Sequence, residues 1–137
     1  MHPVEQVNIT MPNVPSSLAK VGDKLRSAEV NIDAISCTEG PAKTVIHLIV
    51  DDAETAKLVL KGLGAVTTTE VIAMTVKNKP GVIANIGRAC AAMGINIRMI
   101  YATTCDKEAM VYLAVEGDVI DAIEKMKKWE KSAGKMS

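Results

Sequence analysis

The segment VKNKPGVIANIGRACAAMGINI (76–97) holds the residues best suited to bind something. Asn78-Lys79-Pro80-Gly81 leads into a run in which Val82, Ile83, Ile86, Cys90 and Met93 recur at helical spacing. The N–H groups of Gly81, Val82 and Ile83 fall in the first turn of that helix, where intrahelical acceptors are missing. Together with the positive end of the helix dipole they suit a carboxylate. Gly81 has no Cβ to hold a ligand off the backbone, and the Asn78 amide offers both a donor and an acceptor. A plainer reading uses the same residues. Asn just outside a helix and Pro at its first position are good helix-entry chemistry, and a cap needs no ligand. Spacing alone leaves both readings open.

Other chemistries find little to work with. No nucleophile elbow, Gly-rich phosphate loop ending in Lys-Ser/Thr or dinucleotide fingerprint is present. Asp51-Asp52 and the counterpart Glu116 near Asp118 look like paired carboxylates, but each begins a predicted helix, where a structural role suffices. Cys37, Cys90 and Cys105 are scattered without a Cys-x-x-Cys pair, and read as reduced thiols serving as small apolar residues. With His2 and His47 the sole imidazoles, no zinc site is expected, nor any other metal or cofactor. Catalytic residues: none. The chain is read as a non-enzyme.

Charge and composition narrow the partners. Sixteen Lys and Arg balance sixteen Asp and Glu, so no electrostatic pull toward nucleic acid or an anionic membrane is expected. Trp129, Tyr101 and Tyr112 are the only aromatics, too few for base stacking. No apolar run approaches the roughly 20 residues of a membrane span, and MHPVEQVNITM lacks a signal-peptide pattern. A cytoplasmic protein is expected.

The elements that must position the loop come in two copies. At a constant offset of 65 residues Asn13 falls on Asn78, Pro15 on Pro80, Gly22 on Gly87, Asn31 on Asn96, Ile35 on Ile100 and Leu48 on Leu113. Leu18 with Ile83 and Val21 with Ile86 match in apolar character. Each copy begins with a short β-prone run (7–11, 71–76) and an Asn-x-Pro helix. A second strand follows, in which Ile95, Ile97, Met99 and Tyr101 alternate with Asn96, Arg98 and Ile100. Third strands (43–50, 108–115) and second helices with acidic first turns (51–63, 117–129) complete the pattern. In the first copy AVTTTE (65–70) adds a strand that runs directly into the next copy, so the boundary is expected at 1–69 and 70–137. Order β-α-β-β-α-β forms an antiparallel sheet with both helices on one face. The tail KKWEKSAGKMS has no β-branched run, so the second sheet is either short or completed by another segment or chain.

Residues 76–97 closely resemble the opening of an ACT domain, a small ligand-binding regulatory domain of amino-acid metabolism. The pattern is a strand, Asn/Asp-x-Pro-Gly, an apolar helix, and Gly-[Ile/Val]-Asn-Ile. MPNVPSSLAKVGDKLRSAEVNI (11–32) is a weaker copy, with Ser16 where the second copy has Gly81 and Glu29 where it has Gly94. HLIVDDAETA and NIRMIYATT also look like the tandem ACT proteins of bacteria and archaea, which contain two ACT domains and no enzyme. The resemblance implies an α+β fold of two tandem ferredoxin-like βαββαβ modules. It also implies a free amino acid ligand at Asn78, Lys79, Pro80, Gly81, Val82, Ile83 and Asn96, with Asn13, Val14, Pro15, Ser16 and Asn31 as the first-module counterpart. The expected function is regulation in trans of an enzyme of amino-acid metabolism, by an allosteric homodimer whose unpaired second-strand edges are candidate contacts. The alternative is an oligomerisation or adaptor module without ligand. Arg98, opposite Asp33 in the alignment, reads as either a carboxylate contact or a solvated strand residue. Met99 and Tyr101 read as pocket or core, and Lys125, Lys127, Lys128, Lys131 and Lys135 as a solvated basic helix face.

Overall fold

The computed structural model describes residues 1–133. Six strands and four helices follow one another as β1 (His2–Pro12), α1 (Ser17–Ser27), β2 (Ile32–Glu39), β3 (Lys43–Val50), α2 (Ala53–Leu60), β4 (Ala65–Lys77), α3 (Val82–Ala92), β5 (Ile97–Cys105), β6 (Glu108–Val115) and α4 (Val119–Ala133). The fold is α+β with antiparallel pairing of β1 with β3, β2 with β3, β4 with β6 and β5 with β6. Two compact units result: Glu5–Thr69, and Met1–Val4 with Glu70 onward.

In the first unit the hydrogen-bonded strand order is β2-β3-β1-β4. Alternation in QVNITM sends Val7, Ile9 and Met11 to one face, where they pack with Val21 and Leu25 of α1 and Ala56 and Leu60 of α2. Both helices therefore cover the same face. Asp52 starts α2 by accepting from Thr55 N at 3.1 Å and from Thr55 Oγ1 at 2.6 Å, bonds that hold its carboxyl below its ordinary pKa. Asp118 accepts from Ile120 N at 3.0 Å in the corresponding place before α4. These acidic residues act as helix starts.

The opposite face of the first unit carries a polar network. The alternate residues Gln6 and Asn8 are buried there. Asn8 Oδ1 accepts from Gln6 Nε2 and from His47 Nδ1, both at 2.8 Å, while Asn8 Nδ2 donates to Thr69 Oγ1 at 2.9 Å. Partial burial keeps His47 below the usual imidazole pKa. The neutral ring then donates through Nδ1 and accepts through Nε2 near Thr38 Oγ1, 3.3 Å away.

In the second unit the order is β5-β6-β4-β1. The strand that the tail sequence lacks is supplied by the N-terminus, and Met1 packs against the unit's core. That core joins Ile72, Met74 and Val111 of the sheet with Ile86 and Cys90 of α3 and Ile123 and Met126 of α4. Trp129 lies against its margin. The tail segment continues α4 to Ala133 instead of forming a strand, and Lys135 lies outside the described residues. Lys125 pairs with Asp121 at 3.1 Å across one helical turn.

The three thiols differ. Cys90 is buried, and desolvation pushes its pKa up, whereas Cys37 and Cys105 are exposed. The small-apolar reading thus fits Cys90, and the other two face solvent. Two of the three thiols should react promptly with an aromatic disulfide reagent in the native protein, and the third only after denaturant is added. Three prompt thiols would mean that α3 does not pack as described.

Candidate functional site

The structure changes the part played by Asn-x-Pro. Helix α3 begins at Val82, with Gly81 as the flanking residue and Pro80 outside the helix. Pro15 likewise lies outside α1, which begins at Ser17 after Ser16. The prolines therefore do not occupy the first helical position, contrary to expectation. Nor does either asparagine cap a helix. Asn78 Nδ2 donates to the carbonyl of Asp106 at 3.0 Å, and Asn78 N donates to the carbonyl of Lys107 at 2.8 Å. Asn13 Nδ2 donates to Gly40 O and Glu39 Oε1, each at 3.0 Å. Each asparagine clasps the hairpin turn that follows the unit's second strand. The residues of those turns were missed from the sequence, although the same offset places Gly40 opposite Cys105, next to Asp106.

Gly81 has φ +92°, a left-handed conformation that side chains rarely adopt. A Cβ there would meet no heavy atom within 4 Å, so backbone conformation and not crowding selects glycine. The first intrahelical bond runs from Asn85 N to Gly81 O at 3.0 Å, leaving the N–H groups of Val82, Ile83 and Ala84 ahead of it in the first turn. Asn78, Lys79 and Gly81 are exposed, and Val82 is buried beneath them. A recess of ≈ 110 Å³ opens here, lined by Asn78, Lys79, Val82, Ile83, Ala102 and Thr104. That volume is roughly three to four waters' share of liquid. Its lining combines polar Asn78 and cationic Lys79 with apolar Val82, Ile83 and Ala102.

The first-unit loop differs in charge and shape. Ser16 is right-handed (φ −84°) and makes no side-chain cap bond, and Val14 and Pro15 are exposed. Ser17 Oγ donates back to the Pro12 carbonyl at 2.5 Å. Glu39, held on Asn13, places a carboxylate at this loop, which disfavours a second anion.

Asn96 and Asn31 are not brought to these loops. Asn96 precedes β5, whereas the Asp106 carbonyl gripped by Asn78 follows its far end. Nine residues of β5 separate them, about 30 Å at strand rise. Asn96 O accepts from Glu116 N at 3.0 Å, and Asn31 is tied to Asp51 and Asp33 in the same relative place. Arg98 lies 3.9 Å from Glu116 and is two-thirds exposed, as a solvated strand residue is. Tyr101 stacks on Tyr112 with ring centroids 5.3 Å apart, and burial pushes its phenol well above the ordinary value. Among the described residues no three His, Cys, Asp or Glu side chains gather as a metal site would require, and no helix is long and apolar enough to cross a membrane.

The sequence model of the ACT domain matches residues 71–128, which take in the Asn78 loop, α3 and both strands of the clasped hairpin. Over those residues the chain is similar to an ACT domain. No curated protein sequence matches the chain. Among known structures, protein BT0572 from Bacteroides thetaiotaomicron is 25% identical with a TM-score of 0.87, over 93% of this chain and 89% of that one. The ligand-free regulatory subunit of aspartate kinase from Thermus thermophilus is 19% identical with a TM-score of 0.69, over 97% and 98%. Aspartokinase III of E. coli, in complex with aspartate and ADP, is 16% identical with a TM-score of 0.63, over 98% of this chain and 32% of that one. At those identities the two kinase structures bear on the fold alone. They share the fold over nearly the whole of this chain.

Proposed function

We propose that the chain is a non-catalytic regulatory protein built of two ACT modules, 1–69 and 70–137 in sequence with Met1–Val4 grouping with the second, and that it binds a free amino acid at the Asn78 loop. The supporting observation is the left-handed Gly81. It turns the chain so that first-turn N–H groups lie open beside Lys79, while Asn78 keeps its Oδ1 for an ammonium donor. A zwitterion matches that pair of charges. Lys79 and Lys107 favour an anion at this loop, and Glu39 disfavours one at Asn13, so the second module is the primary site. Asn96 lies too far along β5 to share a small ligand within its own unit, and takes part only from the surface of a second copy. A ligand that favours one arrangement of a homodimer then shifts its action on an enzyme of amino-acid metabolism. The regulatory subunit named in one structural neighbour and the kinase named in another are consistent with that role. Three free, scattered thiols suit a reducing cytoplasm.

The adaptor alternative has one observation in its favour. Both asparagines already hold hairpin turns, so the motif has structural work without a ligand. Thermal unfolding against each of the twenty amino acids separates the two. At 100 times its dissociation constant a ligand stabilises the fold by about 2.7 kcal/mol, a visible rise in Tm. One amino acid or one chemical group of them should raise the wild type and Asn13→Ala, but not Asn78→Ala or Gly81→Val. Asn13→Ala is the matched control, because it breaks the equivalent clasp away from the site. An equal, null response from all four proteins would establish the adaptor reading.

A further inference from the structure

Strand β4 is open on one side over its first part. Its neighbours are β1 and β6, and β6 pairs with it only from Ile72 to Lys77. Residues 65–69 therefore turn the backbone N–H and C=O groups of that side outward. The stretch AVTTT contains no charged residue, Pro or Gly to deter pairing, and its Val and Thr residues favour an extended chain. Its face away from the helices is fixed, because Asn8 Nδ2 donates to Thr67 Oγ1 at 3.3 Å and to Thr69 Oγ1 at 2.9 Å. The edge is ordered before anything joins it.

Helix α2 runs beside this open edge. Glu54, Leu58 and Lys61 fall on one helical face, and with Val66 and Thr68 they line a recess of ≈ 370 Å³. Ala56 and Leu60 of the same helix enter the core, whereas Leu58 is 67% exposed, more than any other large apolar side chain among the described residues. Charge divides along the helix. Lys61, just past the end of α2, has no carboxylate partner among the described residues. Two turns earlier, about 10 Å along the axis, Glu54 and Glu5 share the single ammonium of Lys57 at 2.6 and 2.7 Å. That end keeps a net negative charge.

We infer that this groove takes up a short extended segment of a partner protein, which adds a strand to β4 beside α2. Backbone bonds to the edge supply affinity, and alternate side chains facing α2 supply specificity. The chain reverses through residues 61–64, so Lys61 adjoins the start of β4 and Glu54 lies toward its later residues. In antiparallel pairing, the slightly more stable kind, the segment therefore reads basic, apolar, acidic at alternate positions. The basic side chain meets Glu54, the apolar one Leu58 and the acidic one Lys61. The free stretch ends where β6 takes up the same side of β4 at Ile72. A single strand without sheet neighbours of its own fits there, as a chain terminus or a loop supplies. The groove lies in the first unit, and its use does not depend on whether the Asn78 loop binds an amino acid.

Fluorescence anisotropy of a labelled peptide, Thr-Lys-Thr-Leu-Thr-Glu-Thr, tests the groove on the full chain with no amino acid added. The peptide should bind saturably at submillimolar concentration, and the reversed order Thr-Glu-Thr-Leu-Thr-Lys-Thr about tenfold more weakly, because it sets like charges together. Leu58→Asp and Lys61→Glu should each weaken the first peptide by about tenfold. Both side chains are exposed, so these variants should keep the wild-type unfolding midpoint. Lys61→Glu should in turn prefer Thr-Lys-Thr-Leu-Thr-Lys-Thr. Methylating the peptide nitrogens at its even positions, or instead at its odd ones, should abolish binding for one set alone, since a strand turns alternate N–H groups toward its neighbour. A wild type that binds none of the peptides overturns the inference. So do methylated sets that bind equally, or a reversed peptide that binds as well as the first. Sedimentation of wild type without peptide supplies the last arm. Self-association that Leu58→Asp abolishes would mean that a second copy fills the groove, which also overturns the inference.

Discussion

Ile86→Ala should destabilise the second unit by about 3–4 kcal/mol, among the largest effects of any single truncation in this chain. Ile86 is fully buried and packs with Met74, Val111 and Met126, so its loss removes apolar burial and leaves a cavity between helix and sheet. The effect reaches the site. Val82 and Ile86 lie one turn apart on the buried face of α3, and together they seat the first turn whose N–H groups the proposed ligand would meet. Trp129, the sole tryptophan, lies against the same core, so its fluorescence reports on this unit. The fluorescence midpoint in urea should fall markedly for Ile86→Ala. An unchanged midpoint would mean that α3 is not anchored through Ile86.

Gly64→Ala should cost about 2–3 kcal/mol, while Gly62→Ala, two residues earlier, should cost little. A Cβ on Gly64 would stand 2.2 Å from the carbonyl oxygen of Thr10, a backbone atom that cannot swing aside. A Cβ on Gly62 would meet nothing within 4 Å. The contrast isolates the close approach of the α2–β4 turn to β1, because the two substitutions are chemically identical. Denaturant unfolding followed by far-ultraviolet circular dichroism measures both. Equal costs would show that the α2–β4 turn does not approach the Thr10 carbonyl as closely as described.

Much of this architecture is legible in the sequence, and the legible parts share a cause. Helical spacing from Val82 to Cys90 and two-residue alternation from Val7 to Met11 are local consequences of burying one face. The 65-residue offset carries the pattern from one unit to the other. The polar network of Gln6, Asn8 and His47 was open to the same logic, since QVNIT alternates polar with apolar residues, yet both faces of β1 proved to be buried. Partner choice is a different matter. Which strand completes the second unit depends on pairing between residues far apart in the chain, so inspection of the tail segment could not reveal that the N-terminus supplies it. At the site, Gly81 was readable as a residue freed from a side chain's constraints. Its left-handed φ, however, puts Pro80 outside the helix and turns Asn78 toward the hairpin. A helix entry and a turn clasp use the same residue types, and only the position of Asp106 distinguishes them.

The most direct test of the amino-acid site is a titration followed residue by residue with ¹⁵N nuclear magnetic resonance. The amino acid that raises Tm is added to the labelled protein. The backbone amides of Gly81, Val82 and Ile83 and the side-chain amide of Asn78 should shift together and saturate with one dissociation constant, while those of Asn13 and Ser17 stay in place. Shifts confined to the first unit, or none at the Asn78 loop with any amino acid at millimolar concentration, would contradict the account.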